Sequence, residues 1–343
     1  MAKMLGIDMG SANTAFCIED ENEIKTSASL IAIEEESQRI LATGNEARKM
    51  VGRTPASIQV ISPIKEAMVD DAEAATSMMS ELIARLEISP FLKQPGVLAT
   101  IPYGLNKSDE NVLASIFHDA RASTVDFVET PMAIALGAGM PLDLTTGKLV
   151  VDIGAGHSSA SIISHGGIVL SSSIHTAGNA MTEAVAKHVA DVHGIEVGPL
   201  TAEMIKVNLA TLSRSTPQKS IKIYGKVKPS KDAVRVNKFT ASAVITSHEL
   251  IPVLSPIVDD IIKNIKKALE SANSEISSDV SDFGILLSGG VAAMNGLAGY
   301  IEQMLHVKVH TTKAPAFDAV KGTLRIINGG HKFAKFTKRD CIR

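Results

Sequence analysis

Apolar positions recur at intervals of three and four in several stretches of the chain, the spacing that puts side chains on one face of a helix. Ala75, Met78, Met79, Leu82, Ile83 and Leu86 form one such face. Val112, Leu113, Ile116 and Phe117 form another, with Asn106 or Ser108 as cap and Asp109-Glu110 in a first turn whose dipole favours acids. Ile257, Ile261, Ile262, Ile265 and Leu269 form a third, opposed by Asp259-Asp260 and Lys263, Lys266 and Lys267. Between them lie apolar runs of strand length, such as Val97–Ile101 and 284–287. Alternating strands and helices predict an α/β fold. The polar, Lys- and Ser-rich segment 213–240 reads as a peripheral hairpin region. The Met and Leu stripes are core packing and carry no function.

A repeat organises this pattern. Leu5-Gly-Ile-Asp-Met-Gly-Ser-Ala-Asn-Thr14 and Leu149-Val-Val-Asp-Ile-Gly-Ala-Gly-His-Ser158 share an apolar run, Asp-x-Gly, a turn of small residues and a second apolar run (15–18 and 160–163). Each copy predicts a strand, a tight glycine turn and a returning strand. From Asp8 to Asp152 the offset is 144 residues, too long for a solenoid or propeller. Two similar α/β domains facing across a cleft account for it.

Composition narrows the classes. At 343 residues the chain has room for about two domains of ~150 residues. Apolar residues are 45% and charged ones 21%, which excludes a disordered or collagen-like chain. A net charge of −3 offers no global basic surface for nucleic acid, and with no Trp and 3% aromatics there is little surface for base stacking. Two cysteines, Cys17 and Cys341, make neither a disulfide framework nor a zinc site and fit a reducing compartment. The N-terminus reaches Asp8 before a signal-peptide core forms. The uncharged run 153–182 is too rich in Ser, His and Gly for a membrane span and reads as buried strands and turns.

The glycine turns carry the candidate chemistry. A strand ending in Asp and followed by a glycine turn directs backbone N–H groups at a phosphate, while the carboxylate orients a hydrated cation. Asp8 with Gly10, Ser11, Ala12 and Asn13, and Asp152 with Gly154, Ala155, Gly156 and His157, do this from opposite sides of one polyphosphate. One such turn is ordinary punctuation, but two copies at the repeat and a third Gly-Gly at 289–290 point to a nucleotide. No Walker A loop is present.

Segments 5–14, 46–55, 129–139, 150–156, 201–206 and 288–292 occur in the order found in the MreB family of bacterial actin homologues, which the chain resembles over roughly residues 4 to 328. The resemblance implies an actin-like fold, two duplicated RNase H-like domains around a nucleotide cleft. The first spans 1–140 with a peripheral subdomain at about 30–70; the second spans 141–330 with one at about 180–245; a basic tail follows at 331–343. It implies ATP as ligand, with Gly10, Ser11, Ala12 and Asn13 at the phosphates from the first domain. Gly154, Ala155, Gly156 and His157 meet them from the second, with Gly178 also in the site. Glu203 and Lys206 would reach ribose and adenine, Gly289, Gly290 and Val291 would line the adenosine side, and Asp8 and Asp152 would hold Mg²⁺ through waters. Read without the resemblance, Glu203 and Lys206 are an exposed helical pair.

Three positions depart from the family pattern. Thr130 stands before the helix-entry proline where the family has a water-positioning Glu, with Glu129 one residue earlier. His157 replaces a Thr, and Val291 a Gly. Losing a water-orienting carboxylate harms hydrolysis more than binding, so ATP binding with weak hydrolysis is expected. Glu129, Thr130 and His157 are the candidate catalytic residues, and His157 offers either a hydrogen bond or a base. Elsewhere the histidines show no metal-ligand spacing. His188 and His193, at a helix-to-loop exit, read as surface or capping residues, and no Gly-x-Ser-x-Gly elbow supports a hydrolase triad.

Two segments are candidates for lipid contact. Phe91 and Leu92, flanked by Pro90 and Pro95, fall where the family carries a membrane-inserting loop, and could equally pack on the first domain. The tail from His331 has five Lys or Arg against one Asp, a net +4, with Phe333 and Phe336. It suits an anionic inner leaflet or a solvated end. The function expected from the resemblance is a homopolymeric, membrane-associated filament in the cytoplasm, for cell shape or cell-wall organisation. The alternatives are an organelle-positioning filament of the magnetosome type and a monomeric ATP-dependent enzyme or chaperone.

Overall fold

The computed structural model describes residues 3–86, 94–142, 145–227 and 240–340. In the first half, β1 (Met4–Met9) and β2 (Asn13–Ile18) form the hairpin expected of the first repeat, Asp8 opposite Ala15, and β3 (Ile24–Ala28) pairs beyond β2. The chain leaves for a small antiparallel sheet of β4 (Ile31–Glu34), β5 (Ile40–Thr43) and, after helix α1 (Gly44–Met50), β6 (Ile58–Ile61). A two-residue turn then joins β7 (Ile64–Lys65) to β8 (Met68–Val69). Helix α2 (Ala72–Arg85), β9 (Gly96–Ile101), α3 (Lys107–Asp119), β10 (Thr124–Glu129) and α4 (Thr130–Gly137) complete this half. β9 lies parallel between β1 and β10 with every residue buried, as a parallel strand covered on both faces must be.

The second half repeats the plan. β11 (Lys148–Ile153) and β12 (Ser158–Ser164) are the second hairpin, with β13 (Gly167–Ile174) antiparallel beyond. Helix α5 (Gly178–His193), β14 (Ile195–Glu196), α6 (Pro199–Leu209), β15 (Ser220–Val227) and β16 (Thr240–Thr246) form an outer lobe. A 3₁₀ turn at His248–Leu250 leads into α7 (Ile251–Glu270), α8 (Ser274–Phe283) and β17 (Ile285–Ser288), and then α9 (Leu297–Leu305) and β18 (Val309–Thr311). The strand orders β3-β2-β1-β9-β10 and β13-β12-β11-β17-β18, with the same parallel and antiparallel pairings, make the two sheets equivalent.

The helical faces read from the sequence are buried or partly buried, with one exception. Leu113, Ile116 and Phe117 pack inward, but Val112 is 38% exposed, because a neighbour on a helix lies ~100° away from a narrow buried stripe. Asn106 is the cap of α3, its side chain accepting from Asp109 N–H at 2.9 Å.

The end of the chain departs from the expected division. Helix α10 (Asp318–Gly329), placed by sequence in the second domain, packs against α4 and against β1, β2 and β9 of the first sheet. The crossing is made by backbone: a Cβ on Gly137 would lie 1.8 Å from Asp318 O, and one on Gly322 1.9 Å from Ala133 O. Around it, Leu98, Val128 and Met132 cluster with Val150, Ile163 and Leu286, so one apolar layer joins both sheets. The basic tail is not a free end over its described residues. After a 3₁₀ segment (Gly330–Phe336), β19 (Thr337–Arg339) pairs antiparallel with β10, and Lys338 and Arg339 face the acids Glu110, Glu129 and Asp126. Phe91 and Leu92 lie outside the described residues.

Candidate functional site

The equivalent hairpin turns meet face to face. A Cβ on Gly156 would lie 2.6 Å from Ser11 Oγ and 2.9 Å from Glu66 N, so only hydrogen fits between the second turn, the first turn and the β7–β8 hairpin. The first turn is braced from behind: Ser29 Oγ donates to Gly10 O (2.6 Å), Ser62 Oγ to Ser11 O (3.1 Å), and Arg48 of α1 to Ala12 O (3.1 Å) and Asn13 Oδ1 (2.6 Å). The second is closed by Gly154 N–H to His157 O (3.0 Å). It is seated on the start of α5, where Gly178 N–H donates to Gly154 O (3.1 Å) and Asn179 N–H to Ala155 O (2.7 Å).

Between the turns is a cleft of about 340 Å³, lined by residues 10–13 and 154–157, Asp8, Asp152, Thr130, Gly289 and Gly290. An adjoining cavity of about 310 Å³ shares Thr130 and His157 and adds Glu66, Tyr103, Asp109 and His175. Burial pushes Asp8 up to about 6. Thr100, which donates to Asp8 Oδ1 at 2.6 Å, opposes the rise, and the Asp152 charge adds to it. Asp152 is likewise raised to about 6, first by burial and then by Asp318. Among the described residues neither carboxylate has a Lys or Arg in ion-pair range. Burial lowers His157, and the nearby Asp8 charge opposes that.

The structure brings some sequence candidates together and separates others. Thr130 lines both cavities, its hydroxyl donating to Ile101 O at 3.0 Å. Glu129 lines neither; as the last residue of β10 it accepts an ion pair from Lys338 at 2.8 Å. Gly289, in the left-handed region at φ +91°, leaves room for Asp152 Oδ1, which a Cβ would approach to 2.5 Å. Gly178, Glu203, Lys206 and Val291 stand behind the second turn rather than in this lining. Lys206 Nζ donates to Gly178 O and Thr182 Oγ1, each at 2.9 Å, and pairs with Glu203 at 2.7 Å. Glu203 and Lys206 are thus not a free surface pair.

Sequence reading missed Asp318. Fully buried behind the third turn, it accepts from Ser288 Oγ (3.2 Å) and Thr312 Oγ1 (2.8 Å), with Lys321 at 3.6 Å. Its only sequence signal is an acid opening an apolar helix, which a helix cap also gives.

Two equivalent sheets, joined by crossed helices and meeting at paired Asp-Gly hairpin turns, define the actin-like class of fold. The family model of the MreB/Mbl protein matches residues 2–335, and the chain belongs to that family. It is 30% identical over 334 residues to the cell shape-determining protein Mbl of Bacillus subtilis (strain 168), covering 97% of this chain and 98% of that one. It is 29% identical over 323 residues to MreB of Escherichia coli (strain K12), covering 93% and 91%. Among solved structures, MreB 5 of Spiroplasma citri bound to AMPPNP superposes with a TM-score of 0.88 at 26% identity, over 98% of this chain and 97% of that one. A MamK double helical filament superposes at 0.76 and 20% identity, over 95% and 98%, a likeness of fold alone.

Proposed function

We propose that this chain binds ATP with Mg²⁺ in the cleft and assembles into cytoskeletal filaments of the cell-shape type. The observation that carries the reading is the pair of Asp-Gly turns in van der Waals contact across one cavity, with the half-buried Asp8 and the buried Asp152 carboxylates that no described Lys or Arg neutralises. Two such carboxylates are an oxygen donor set suited to a hydrated divalent cation. In this reading Ser11, Ala12 and Asn13 and residues 154–157 hold the phosphates, while Glu203, Lys206 and residues 289–291 serve the nucleoside. Support comes from the Spiroplasma citri relative, solved with AMPPNP and with ADP, and from the curated relatives named for cell shape.

Hydrolysis is weak in this proposal. Thr130 and His157 stand at the junction of the two cavities, while the carboxylate beside Thr130, Glu129, is engaged by Lys338. Asp109 lines only the adjoining cavity. A filament contact is heterologous and does not close, so assembly depends on concentration and on nucleotide. Association with the inner membrane surface belongs to the same reading. No helix among the described residues is long and apolar enough to cross a membrane. Equilibrium binding of ATP with and without Mg²⁺, in the wild type and in Asp8→Ala and Asp152→Ala, tests the cleft. Unchanged affinity and Mg²⁺ dependence in both variants would move the site elsewhere. Sedimentation with electron microscopy tests assembly, and a protein that stays monomeric with ATP in solution and on vesicles would refute the filament.

A further inference from the structure

A second cluster of metal-binding side chains lies in the outer lobe, away from the cleft. His188 and His193 sit on the last turns of α5. Residues five apart on a regular helix point ~140° away from one another, but His193 ends the helix, and Gly194 follows in the left-handed conformation at φ +65°. The two rings come to 5.9 Å between centroids, edge to face at 76°. Opposite them is Glu249, in the 3₁₀ turn that enters α7. Its Oε1 is 3.5 Å from His193 Nε2 and accepts from Thr246 N–H at 2.8 Å, which fixes the carboxylate.

Two features mark this group as a ligand set. One donor atom from each of the three residues lies within 4.8 Å of the other two. The Nε2 atoms of both histidines are buried and have no hydrogen-bond partner, an arrangement that costs stability unless something accepts their lone pairs or protons. Tetrahedral zinc, with bonds of ~2.0–2.2 Å, needs donors roughly 3.3–3.5 Å apart. The His193–Glu249 pair already has that separation. The His188 donor lies within 4.8 Å of both, a gap that binding of the ion would close.

We propose that His188, His193 and Glu249 bind one zinc-class divalent cation, with a fourth position open to water. Two imidazoles and one carboxylate select zinc, cobalt or nickel over magnesium or calcium, which take oxygen ligands. The site is therefore chemically distinct from the all-oxygen pair Asp8 and Asp152. It joins the end of α5 to the start of α7 and closes the base of the β14–β15–β16 sheet. Its role is to hold the outer lobe on the second sheet.

The test uses the full chain without a histidine tag, stripped with chelator and kept free of nucleotide. Dialysis against micromolar Zn²⁺ should leave one metal per chain and raise the melting temperature by several degrees, with excess Mg²⁺ giving no competition. His193→Gln and Glu249→Gln should weaken zinc binding at least 100-fold, and His331→Gln should leave it unchanged. His188→Cys keeps three ligands. With Co²⁺ it should add a thiolate-to-cobalt band in the near ultraviolet, which reads the site without relying on a loss. Less than stoichiometric zinc in the wild type, unchanged binding in both Gln variants, or a missing thiolate band in folded His188→Cys would overturn the proposal.

Discussion

Gly156→Ala isolates the contact between the two turns. Its Cβ would enter at 2.6 Å from Ser11 Oγ, 3.1 Å from Ser11 Cβ and 2.9 Å from Glu66 N. Ordinary contact needs about 3.4 Å or more, so Ser11 must change rotamer and the turn must also draw back from Glu66 N by roughly half an ångström. The backbone at Gly156 is not in the left-handed region, so the cost is packing rather than dihedral strain. Overpacking of this kind costs ~1–3 kcal/mol, and here it falls on the closed cleft. ATP affinity is expected to drop by up to roughly 5- to 150-fold, at ~1.4 kcal/mol per tenfold, to the extent that the ligand-free cleft opens to relieve the clash, and the remainder of the cost lowers the melting temperature of the nucleotide-free protein. Ser11→Ala removes the closest atom and leaves the other two, so the double variant should recover ~1 kcal/mol relative to additivity. Isothermal titration calorimetry on the four proteins measures this. Strict additivity, or a Gly156→Ala protein that binds ATP as the wild type does, would show that the nucleotide does not require the turns in contact.

Three further expectations follow from the same geometry. Thr130→Glu, alone or with His157→Thr, should raise single-turnover phosphate release at least tenfold with little change in ATP affinity, whereas Glu129→Ala should leave it unchanged; a fast wild type that collapses without Glu129 or His157 would refute this. Asp8 and Asp152 have folded pKa values near 6, above the ordinary 3.8, so the stability they contribute is present below about pH 4 and is lost as pH rises through 6. This amounts to on the order of 3 kcal/mol for one such carboxylate. The urea midpoint of cation-free protein should fall from pH 5 to 8 relative to the Asp8→Asn/Asp152→Asn double variant, and Mg²⁺ with nucleotide should flatten the difference. Gly322→Ala drives a methyl to within 1.9 Å of Ala133 O, so it should destabilise by several kcal/mol or prevent folding, while Gly299→Ala, with open space at its Cβ, should be near neutral in thermal melts.

The paired hairpins were legible because everything that makes them is local: an apolar run, Asp-x-Gly and a second run. The duplicated sheets and the cleft followed from repeating that pattern. What escaped depends on partners far along the chain. Gly137 and Gly322 look like ordinary helical glycines until the two helices are crossed. Thr337–Arg339 is short and basic, with no strand signal of its own, and becomes a strand by laddering onto the otherwise open edge of β10, where Asp126 and Glu129 also pair with Arg339 and Lys338. Lys338 on that strand also pairs with Glu129, which lines neither cavity, and sequence position beside Thr130 could not reveal this. His188 and His193 read as surface or capping residues because regular helical spacing separates them. The left-handed Gly194 after His193 and the distant Glu249 give them a common focus.

The glycine crossing of α4 and α10 has a mechanical consequence. Side chains between helices act as cushions that can re-pack and let one element slide past another by a ridge. Where carbonyls meet glycine Cα atoms directly, sliding has no alternative seat, while turning about the point of contact disturbs little. The junction therefore has the form of a pivot rather than of a sliding contact. In the proposed nucleotide cycle, an ångström gained or lost between the phosphate-side turns would reappear, magnified, at the outer lobes, which lie away from the crossing. In the proposed filament, nucleotide state would thus be felt at a distant polymer contact without any helix in the middle changing its neighbours.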